Sequence, residues 1–422
     1  MNISTLEENG FSPESLEPKL IKMPFTFLGA AAGRICVEGC LEDVNSANET
    51  DSNPELQEVE YLSFNELETI YRQSRNLESE RNKCRKLVFK KDGQEITDLI
   101  GYNATQPILD KYYDTEENPY FILRVRMEKI DDEKESKVVA FRASSLSSTE
   151  WEQVEDDNEL PKINGQDPSL IELGDELFLG VIEVESVPDD SDSGYHLKWW
   201  QRFYMGKDVR NMIAVGRGPD GMKNVTPVMT PTSGIVTFTR PQNPDNEALG
   251  GLGQIGEVTR DKIDEILKPD VLQAAELINT RFINGREWGG IKYGLPLIDG
   301  KIGVLGHIAC YDINSPLYNP EAKDKPKKYA TFVGTYDPRS RKLENVKLVA
   351  MADEFPSNLT KDESTRNVVY TTGMTEPDEN GRVLIIQGVR DAETWSKEID
   401  DPFAGHRVYL PRPGVVDQDL IG

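Results

Sequence analysis

The sequence lacks several features that would assign it to common protein classes. None of its apolar runs reaches the roughly 18 residues of a membrane-spanning helix, so we expect no span. The first 20 residues have no basic stretch followed by an apolar one, so we expect no signal peptide. Positive charge is also in short supply, because 48 Lys and Arg face 74 Asp and Glu and leave a net charge of −26. A nucleic-acid-binding surface is therefore not expected.

Cysteine is scarce as well. The four cysteines, Cys36, Cys40, Cys84 and Cys310, do not have the spacing of metal ligands. Cys36 and Cys40 lie on one strand-like run, where free thiols are favoured over a redox pair. Few cysteines without a secretion signal are typical of the reducing cytosol, so we expect a cytoplasmic protein. We expect neither a bound metal nor a cofactor.

The chain divides into an N-terminal extension, residues 1–95, and a main domain, residues 96–422. Within the extension we expect three irregular pieces: a loose arm (1–20), a hairpin (24–40) and a polar loop (46–55). The acid-rich extension offers a surface for a second copy of the chain, so a homo-oligomer is an expected assembly.

Two segments have the spacing of helices. Residues 63–87 place apolar side chains on one helical face, at Leu67, Ile70, Tyr71 and Leu77. Ser63 is the predicted N-cap, and Glu66 completes a capping box three residues later. Residues 261–281 form a second helical region, which Pro269 interrupts.

Most of the remaining sequence alternates polar and apolar residues between Gly, Pro, Asn and Asp turns, which is typical of strands. The clearest runs are FILRVRM (121–127), VVAFRAS (138–144), LFLGVIEV (177–184), KWWQRFYM (198–205), IVTFTR (235–240), KIGVLGHIA (301–309), YATFVGTYD (329–337) and VLIIQGV (383–389). They come in pairs with polar tips, and few helices separate them. This pattern predicts an all-β protein, a β-propeller at roughly 100–410, rather than a sandwich or a doubly wound fold.

One polar segment, residues 164–169, lies between two of these strands and contains Asp167 followed by Pro168. A following proline favours an extended backbone, so we expect the Asp167 carboxylate to be held at a strand end. Later strands end in similar tips, such as DGMKN, FTRPQ and GVRDA. Together they predict a pocket in which one acid meets several cations. The alternative is that Asp167 only caps backbone amides in a turn.

Nine pieces of the sequence, in order, resemble the mannoside phosphorylases built on a five-bladed propeller. They run from about Gly101 to Asp401: GYNATQP, LRVRMEK, QDPSL, DGMKNV, FTRPQ, GQIGEV, REWGG, KIGVLGHIACYD and GVRDAET. The likeness is closest to the eukaryotic dual mannosyltransferase–phosphorylases, which build and degrade β-1,2-linked mannan. It implies a five-bladed β-propeller with an N-terminal helical and loop extension. It also implies, as partners, mannose, mannobiose or mannan oligosaccharides with inorganic phosphate, mannose 1-phosphate or GDP-mannose.

The resemblance further implies roles for individual residues. Asp167 matches the single catalytic acid of the family. Phosphate contacts are implied for Lys223, Asn224, Arg240, Lys292, His307 and Tyr329. Sugar contacts are implied for Asn103, Arg124, Glu128, Gln166, Glu183 and Asp391. In one departure, the Arg-Val-Glu triplet of the first blade reads Arg124-Val125-Arg126 here, and the glutamate is Glu128.

This residue set suits phosphorolysis. Inverting hydrolysis of a glycoside needs one carboxyl group to protonate the leaving oxygen and another to activate water. Phosphate is already a nucleophile, so a phosphorylase needs the acid and a set of cations to hold the anion. The same pocket run in reverse holds phosphate as the leaving group.

Other interpretations stay open at this point. A hydrolase of the same fold would need a second carboxylate, for which Glu183, Glu185 and Glu287 are available. A non-catalytic propeller that serves as a binding platform would not cluster Asp167 with the basic tips. Several residues also have structural readings: a solvated turn for Lys223, a surface ion pair for Arg240, a core position for His307, and core packing rather than sugar stacking for Trp199, Trp200 and Trp288. The glycines of residues 251–256 follow no strand–helix unit, which argues against a dinucleotide loop.

Overall fold

The computed structural model describes residues 62–110, 120–154, 161–188, 195–241, 253–278, 280, 287–322 and 325–408. They belong to one compact unit, Val59–Gly422. The expected arm, hairpin and polar loop, together with Cys36 and Cys40, lie outside the described residues. The domain boundary at residue 96 stays a prediction.

Strands make up most of the described residues, and all eight runs predicted as strands fall on them, which confirms a mostly-β protein. The strands are β1 (Cys84–Lys86), β2 (Val88–Lys91), β3 (Gln94–Glu95), β4 (Ile100–Tyr102), β5 (Ile108–Leu109), β6 (Phe121–Lys129), β7 (Asp132–Ala143), β8 (Glu150–Gln153), β9 (Ile163–Asn164), β10 (Gln166–Leu173), β11 (Glu176–Pro188), β12 (Tyr195–Gly206), β13 (Ile213–Arg217), β14 (Met222–Thr230), β15 (Gly234–Pro241), β16 (Gly256–Arg260), β17 (Glu276–Leu277), β18 (Glu287–Pro296), β19 (Ile302–Tyr311), β20 (Lys327–Asp337), β21 (Lys342–Met351), β22 (Val369–Met374), β23 (Arg382–Val389) and β24 (Glu393–Asp400).

Antiparallel pairing between consecutive strands divides them into groups. Strands β10–β13, β14–β17 and β18–β21 form three separate four-stranded sheets, called here the second, third and fourth sheets. Strands β4–β9 (the first group) and β22–β24 (the last group) share one larger sheet, because β24 pairs with β4 in parallel at Glu393 and Gly101. The count of five blades therefore stays a prediction.

The hydrophobic core lies between successive groups. Leu179 of the second sheet packs with Val138 of the first group in one buried cluster. Similar clusters join the second sheet to the third, the third to the fourth, and the fourth to the last group. A further cluster contains Ile386 of the last group together with Phe141 of the first. The apolar alternation of the strands thus supplies two buried faces for most groups.

The first strands of four groups, β10, β14, β18 and β22, contact one another in the middle of the molecule. Each has an irregular register with its neighbour, and the residues at these irregularities are Asp167, Asn224, Lys292 and Thr372. A bulge of this kind turns a side chain away from the regular pleat. Four central strands thereby each present a polar residue at a bulge.

The backbone of Asp167 differs from the expectation drawn from Pro168. Its φ is 49°, a left-handed conformation, so the extended backbone predicted for it is wrong. Asn103 and Asn224 have similar values, 52° and 56°. Asp and Asn tolerate this region better than most residues, and here the bulge prevails over the preference of a residue before proline.

The predicted helix at 63–87 is two helices followed by a strand. Helix α1 (Phe64–Ser74) has the predicted capping box between Ser63 and Glu66, and α2 (Leu77–Asn82) begins after Asn76, which caps it. Helix α1 packs on β19 and β21. Of the predicted apolar stripe, Leu67 is buried but Ile70 is half exposed, because Leu67 and Tyr71 lie on the face toward the sheet.

The second helical region is also shorter than predicted. It consists of α3 (Ile263–Ile266) and α4 (Pro269–Gln273), and Pro269 starts the second helix instead of merely breaking the first. Proline is favoured at this first position, because its missing N–H would have no partner there. Two short 3-10 turns, Ala352–Glu354 and Glu363–Thr365, complete the helical structure of the described residues.

Candidate active site

The Asp167 carboxylate is held by two donors from the first group. Asn103 Nδ2 donates to its Oδ1 over 2.7 Å, and Arg126 Nη1 donates to the same atom over 3.0 Å. Burial alone would raise the pKa of Asp167, but the charges of Arg126 and Lys223 and the hydrogen bond from Asn103 outweigh it. The pKa therefore lies well below its usual value, and Asp167 is a carboxylate in the unliganded site.

Arg126 is itself fixed by Glu128. Its Nε donates to Glu128 Oε2 over 2.8 Å, and Glu128 also accepts from Tyr102, Ser136 and Lys361. Glu128 is only 1% exposed, so these four partners use its oxygens within the protein. In the observed geometry Glu128 positions Arg126, and the sugar contact implied for it stays a prediction.

This contact changes how the first-group triplet is read. Arg126-Met127-Glu128 reproduces the arginine–apolar–glutamate spacing that Arg124-Val125-Arg126 lacks, and its two charged residues form an ion pair at 2.8 Å. Arg124 differs: its Nη2 donates to the Val209 carbonyl over 2.9 Å, whereas the side-chain donors to Asp167 among the described residues are Asn103 and Arg126. Arg126 is the arginine that reaches the acid.

Cations from the third and fourth sheets lie near Asp167. Lys223 and Arg240 are direct partners on β14 and β15. Lys292 on β18 is 2% exposed, and its Nζ lies 3.5 Å from Asn224 Oδ1. Burial lowers the pKa of Lys292 to about 8, with Asp167 opposing that effect and Arg240 adding to it. Both Lys223 and Lys292 act on the Asp167 carboxylate electrostatically.

His307 joins this cluster as a neutral imidazole. Its Nε2 lies 3.4 Å from Arg240 Nη1, and because a guanidinium only donates, Nε2 accepts and Nδ1 carries the proton. Burial, followed by the charges of Arg240 and Lys292, holds the pKa of His307 well below its usual value. The structural reading of His307 is correct about its burial, since it is fully buried, but its partner is a cation of the pocket.

Asn224 and His307 each have a donor atom with no protein partner among the described residues. Tyr370 donates to Asn224 Oδ1 over 3.0 Å, which leaves Asn224 Nδ2 as a donor. Asn224 Nδ2 and His307 Nδ1 are both buried without a hydrogen bond. Buried donors are nearly always satisfied in proteins, so an unsatisfied pair calls for an acceptor from outside the chain. Because Lys223, Arg240 and Lys292 are the cations of this site, that acceptor is expected to be an anion.

We call these nine residues the central cluster: Asn103, Arg126, Asp167, Lys223, Asn224, Arg240, Lys292, His307 and Tyr370. Their contacts link the first group to the second sheet, the third sheet to the fourth, and the third and fourth sheets to the last group. Seven of the nine were candidates from the sequence, whereas Arg126 and Tyr370 were missed.

The remaining candidates lie around the cluster or away from it. Tyr329 lies with its ring centroid 5.6 Å from that of His307, and its hydroxyl accepts from Trp288. Gln166 immediately precedes Asp167. Glu183 is occupied by Trp200 and Arg202 on the β11–β12 hairpin.

Asp391 is at the turn between β23 and β24. It and Arg390 both have positive φ, which is the conformation of a two-residue hairpin turn. Burial raises the pKa of Asp391 to about 6, with Arg126 opposing that effect and Asp167 adding to it. Asp391 is therefore a second carboxyl group in the electrostatic environment of Asp167, and it is the one more easily protonated.

Comparison with known proteins gives the family. A family model described as "Protein of unknown function (DUF1861)" matches residues 80–405. The chain belongs to this DUF1861 family. No curated protein matches the sequence.

Solved structures resemble this DUF1861 chain over most of its length. MPT-1, a GDP-Man-dependent mannosyltransferase from Leishmania mexicana, is 19% identical, with a TM-score of 0.66 over 83% of this chain and 98% of that one. MPT-4, a mannose phosphorylase from the same organism in complex with a phosphate ion, is 21% identical, with a TM-score of 0.62 over 78% and 92%. A hypothetical protein from Leishmania major is also 21% identical, with a TM-score of 0.59 over 78% and 94%. The resemblance noted in the sequence is thus confirmed as a shared fold.

Two further observations concern metals and membranes. The described part of the chain holds no cluster of three or more His, Cys, Asp or Glu that could bind a metal ion. None of the described helices is long and apolar enough to cross a membrane.

Proposed function

We propose that this protein is a mannoside phosphorylase or mannosyltransferase. It transfers mannose reversibly, with inversion, between mannose 1-phosphate and a mannose or mannan acceptor, and it acts on β-1,2 linkages in the cytoplasm. GDP-mannose is the alternative donor. The activities named for the two Leishmania mexicana proteins support this proposal, since the chain shares their fold. A homo-oligomer stays a prediction.

The observation that carries the proposal is the pair of unsatisfied donors beside the cations. Asn224 Nδ2 and His307 Nδ1 are buried without partners, and Arg240 and Lys292 lie against the same two residues. A phosphate group would give both donors an acceptor and would offset the positive charge. Neutral His307 suits this task, because its Nδ1 proton is available at any pH above its low pKa.

Asp167 is the proposed acid and base. In phosphorolysis a phosphate oxygen attacks the anomeric carbon, the bond to the leaving mannose oxygen breaks, and Asp167 gives its proton to that oxygen. In synthesis the acceptor hydroxyl attacks mannose 1-phosphate, its proton passes to Asp167, and phosphate leaves. Since Arg126 keeps Asp167 ionised, the unliganded site is prepared for the base role. Bound phosphate would offset the charges of Lys223 and Lys292 and so favour protonation of Asp167 for phosphorolysis.

The contacts of the other carboxylates argue against hydrolysis. Glu183 accepts from Trp200 and Arg202, and Glu287 accepts from the Phe64 N–H at the start of α1. Two of the three candidates for a water-activating base therefore have structural partners, and the third, Glu185, is exposed on β11. The contacts of the central cluster also do not fit a non-catalytic platform, which predicts no convergence of Asp167 with basic residues.

The test is the phosphate dependence of β-1,2-mannobiose breakdown. We expect mannose release to require inorganic phosphate and to saturate with it, and to be accompanied by mannose 1-phosphate. Arg240→Ala should weaken saturation by phosphate while sparing the apparent affinity for mannobiose. Release of mannose at the same rate without phosphate would favour the hydrolase. The absence of turnover with phosphate, mannose 1-phosphate or GDP-mannose would refute the proposed activity.

A further inference from the structure

Arg124 is a buried arginine with almost no partners. It lies on β6 and is 1% exposed, yet within the described part of the chain its guanidinium makes a single hydrogen bond, from Nη2 to the Val209 carbonyl. Its Nε is buried without a partner. A guanidinium has five N–H donors, so most of its hydrogen-bonding capacity is unused.

No carboxylate among the described residues offsets this charge. The ionisable groups that act on Arg124 are Tyr204 and a second cation, Arg210, and Arg210 is itself paired with Asp110 at 2.6 Å. Burial lowers the pKa of Arg124 to about 10, which still leaves it charged at neutral pH. An uncompensated charge in the interior is among the most unfavourable arrangements in a protein.

A cavity with a volume of about 510 Å³ has Arg124 in its lining. It is lined by Arg124 and by polar and apolar residues of β7, β8 and β9 and of the chain next to β8 and β9. The polar lining residues are Lys137, Gln153, Lys162 and Asn164, and none of the described lining residues is acidic. The cavity thus has a buried cation in its wall and two lysines beside it.

We propose that this cavity binds an oxyanion, the phosphate or carboxylate group of a small molecule, with Arg124 as its principal contact. Arg124 presents a planar set of donors that matches either group. The site is distinct from the central cluster, because the ionisable groups that act on Arg124 are Tyr204 and Arg210, neither of which is a member. Asn164, three residues before Asp167, lies in the cavity wall, so an occupant would sit beside the segment that carries the catalytic acid.

The chain itself offers a competing source of negative charge. Val154 and Pro161 both line the cavity, and the sequence between them contains four acidic residues, Glu155, Asp156, Asp157 and Glu159. The experiment must therefore distinguish an external oxyanion from these carboxylates.

Thermal unfolding of the full chain gives that distinction. The measurement uses Arg240→Ala, which weakens anion binding in the central cluster, and compares it with the double variant Arg124→Met/Arg240→Ala. The probes are inorganic phosphate and malonate, each against sodium chloride of equal ionic strength. We expect at least one probe to raise the Tm of Arg240→Ala and neither to raise the Tm of the double variant, because a ligand stabilises only a folded state that binds it. The more effective probe identifies the ligand group.

A second signature comes from the charge itself. In dilute buffer without multivalent anions, Arg124→Met should have a higher Tm than the natural protein, because it removes an uncompensated buried charge. Arg142→Met is the matched control. Arg142 lies on β7, next to the strand of Arg124, and its guanidinium lies over the Tyr120 ring. This substitution should leave the effect of the probes on the Tm intact. If Arg124→Met does not fold, Arg124→Gln serves the same comparison.

Three results would overturn the proposal. One is equal shifts with the probes in Arg240→Ala and in the double variant, and another is no shift in either. The third is that changing the four carboxylates at 155–159 to amides lowers the Tm strongly, and that this loss does not occur when Arg124→Met is also present. That result would mean that the chain supplies its own counterion for Arg124. None of these readouts requires mannosyl transfer, so the outcome is independent of the proposed function.

Discussion

Replacing Arg126 with methionine is expected to move the pH dependence of both reaction directions upward. Arg126 Nη1 donates to Asp167 Oδ1 over 3.0 Å, and the two side chains are 6% and 17% exposed. An opposite charge this close lowers the pKa of a carboxyl group by about one to three units. Removing it should raise the pKa of Asp167 by a similar amount, while Lys223 and Asn103 continue to lower that pKa.

The sign follows for each direction. Synthesis needs ionised Asp167, so its rate falls as pH drops through the pKa, and this acid limb should move up by about one to three pH units in Arg126→Met. Phosphorolysis needs protonated Asp167, so its rate falls as pH rises through the pKa, and this basic limb should move up as well.

The assay is kcat/KM as a function of pH for both directions, with Arg126→Lys as the control that keeps the charge. Arg126→Lys should restore much of the original profile. A loss of activity at all pH values with unmoved limbs would mean that Arg126 only supports the structure of the site. That result would refute the argument that its charge sets the protonation of Asp167.

Four further predictions concern the central cluster and two residues beside it, Gly290 and Asp391. Asp167→Asn should fold normally, since Asn tolerates the left-handed backbone, and should lose about 10²–10⁴-fold in turnover in both directions; rapid turnover would end its role as acid. Arg240→Ala should raise the KM for phosphate about 10- to 100-fold, as expected when a charged hydrogen bond is lost, and unchanged saturation would move the phosphate site elsewhere. Gly290→Ala should also weaken phosphate binding, because a Cβ there would lie 2.3 Å from Asn224 Nδ2 and must displace it; an unaltered phosphate KM would count against Asn224. Asp391→Asn should raise the free energy of unfolding at pH 7 by at most about 3 kcal/mol and leave it nearly unchanged at pH 4. Burial raises the pKa of Asp391 to about 6, so the natural protein becomes less stable as pH rises through this value and the buried carboxyl group ionises. Equal stability differences at both pH values would contradict this prediction.

Local signals in the sequence predicted the elements well. The capping box needs only Ser63 and Glu66, three residues apart, and the interruption predicted at Pro269 falls between α3 and α4, because proline is favoured at the first position of a helix. The alternation of apolar and polar residues located eight strands, because successive side chains of a strand point to opposite faces of its sheet. These features depend on a few adjacent residues, so the sequence contains them.

The site was predicted less completely, because its contacts join distant strands. Arg124, Arg126 and Glu128 alternate along β6, and sequence alone does not say which of them meets Asp167. That choice depends on the position of β6 beside β10, and it made Arg126 the partner instead of Arg124. The missing signal was the two-residue spacing of Arg126 and Glu128, which matches the family triplet.

Backbone geometry was the other source of error. The rule for a residue before proline predicted an extended Asp167, whereas a bulge in β10 gives it a positive φ. The break at Arg75 and Asn76 between α1 and α2 was missed because both flanking segments favour helix, and the Asn76 side chain caps the second one. The roles of Asn224 and His307 as unsatisfied donors could only emerge from the three-dimensional network.

The central claim is that one site uses phosphate and a single carboxyl group to cleave a mannoside. The most direct measurement is a ³¹P and ¹H NMR time course of the full chain with β-1,2-mannobiose and inorganic phosphate. Inversion predicts that α-mannose 1-phosphate and mannose accumulate in equal amounts, and that Asp167→Asn forms neither at a comparable rate. Two molecules of mannose without any phosphate ester, formed equally fast in phosphate-free buffer, would contradict the claim.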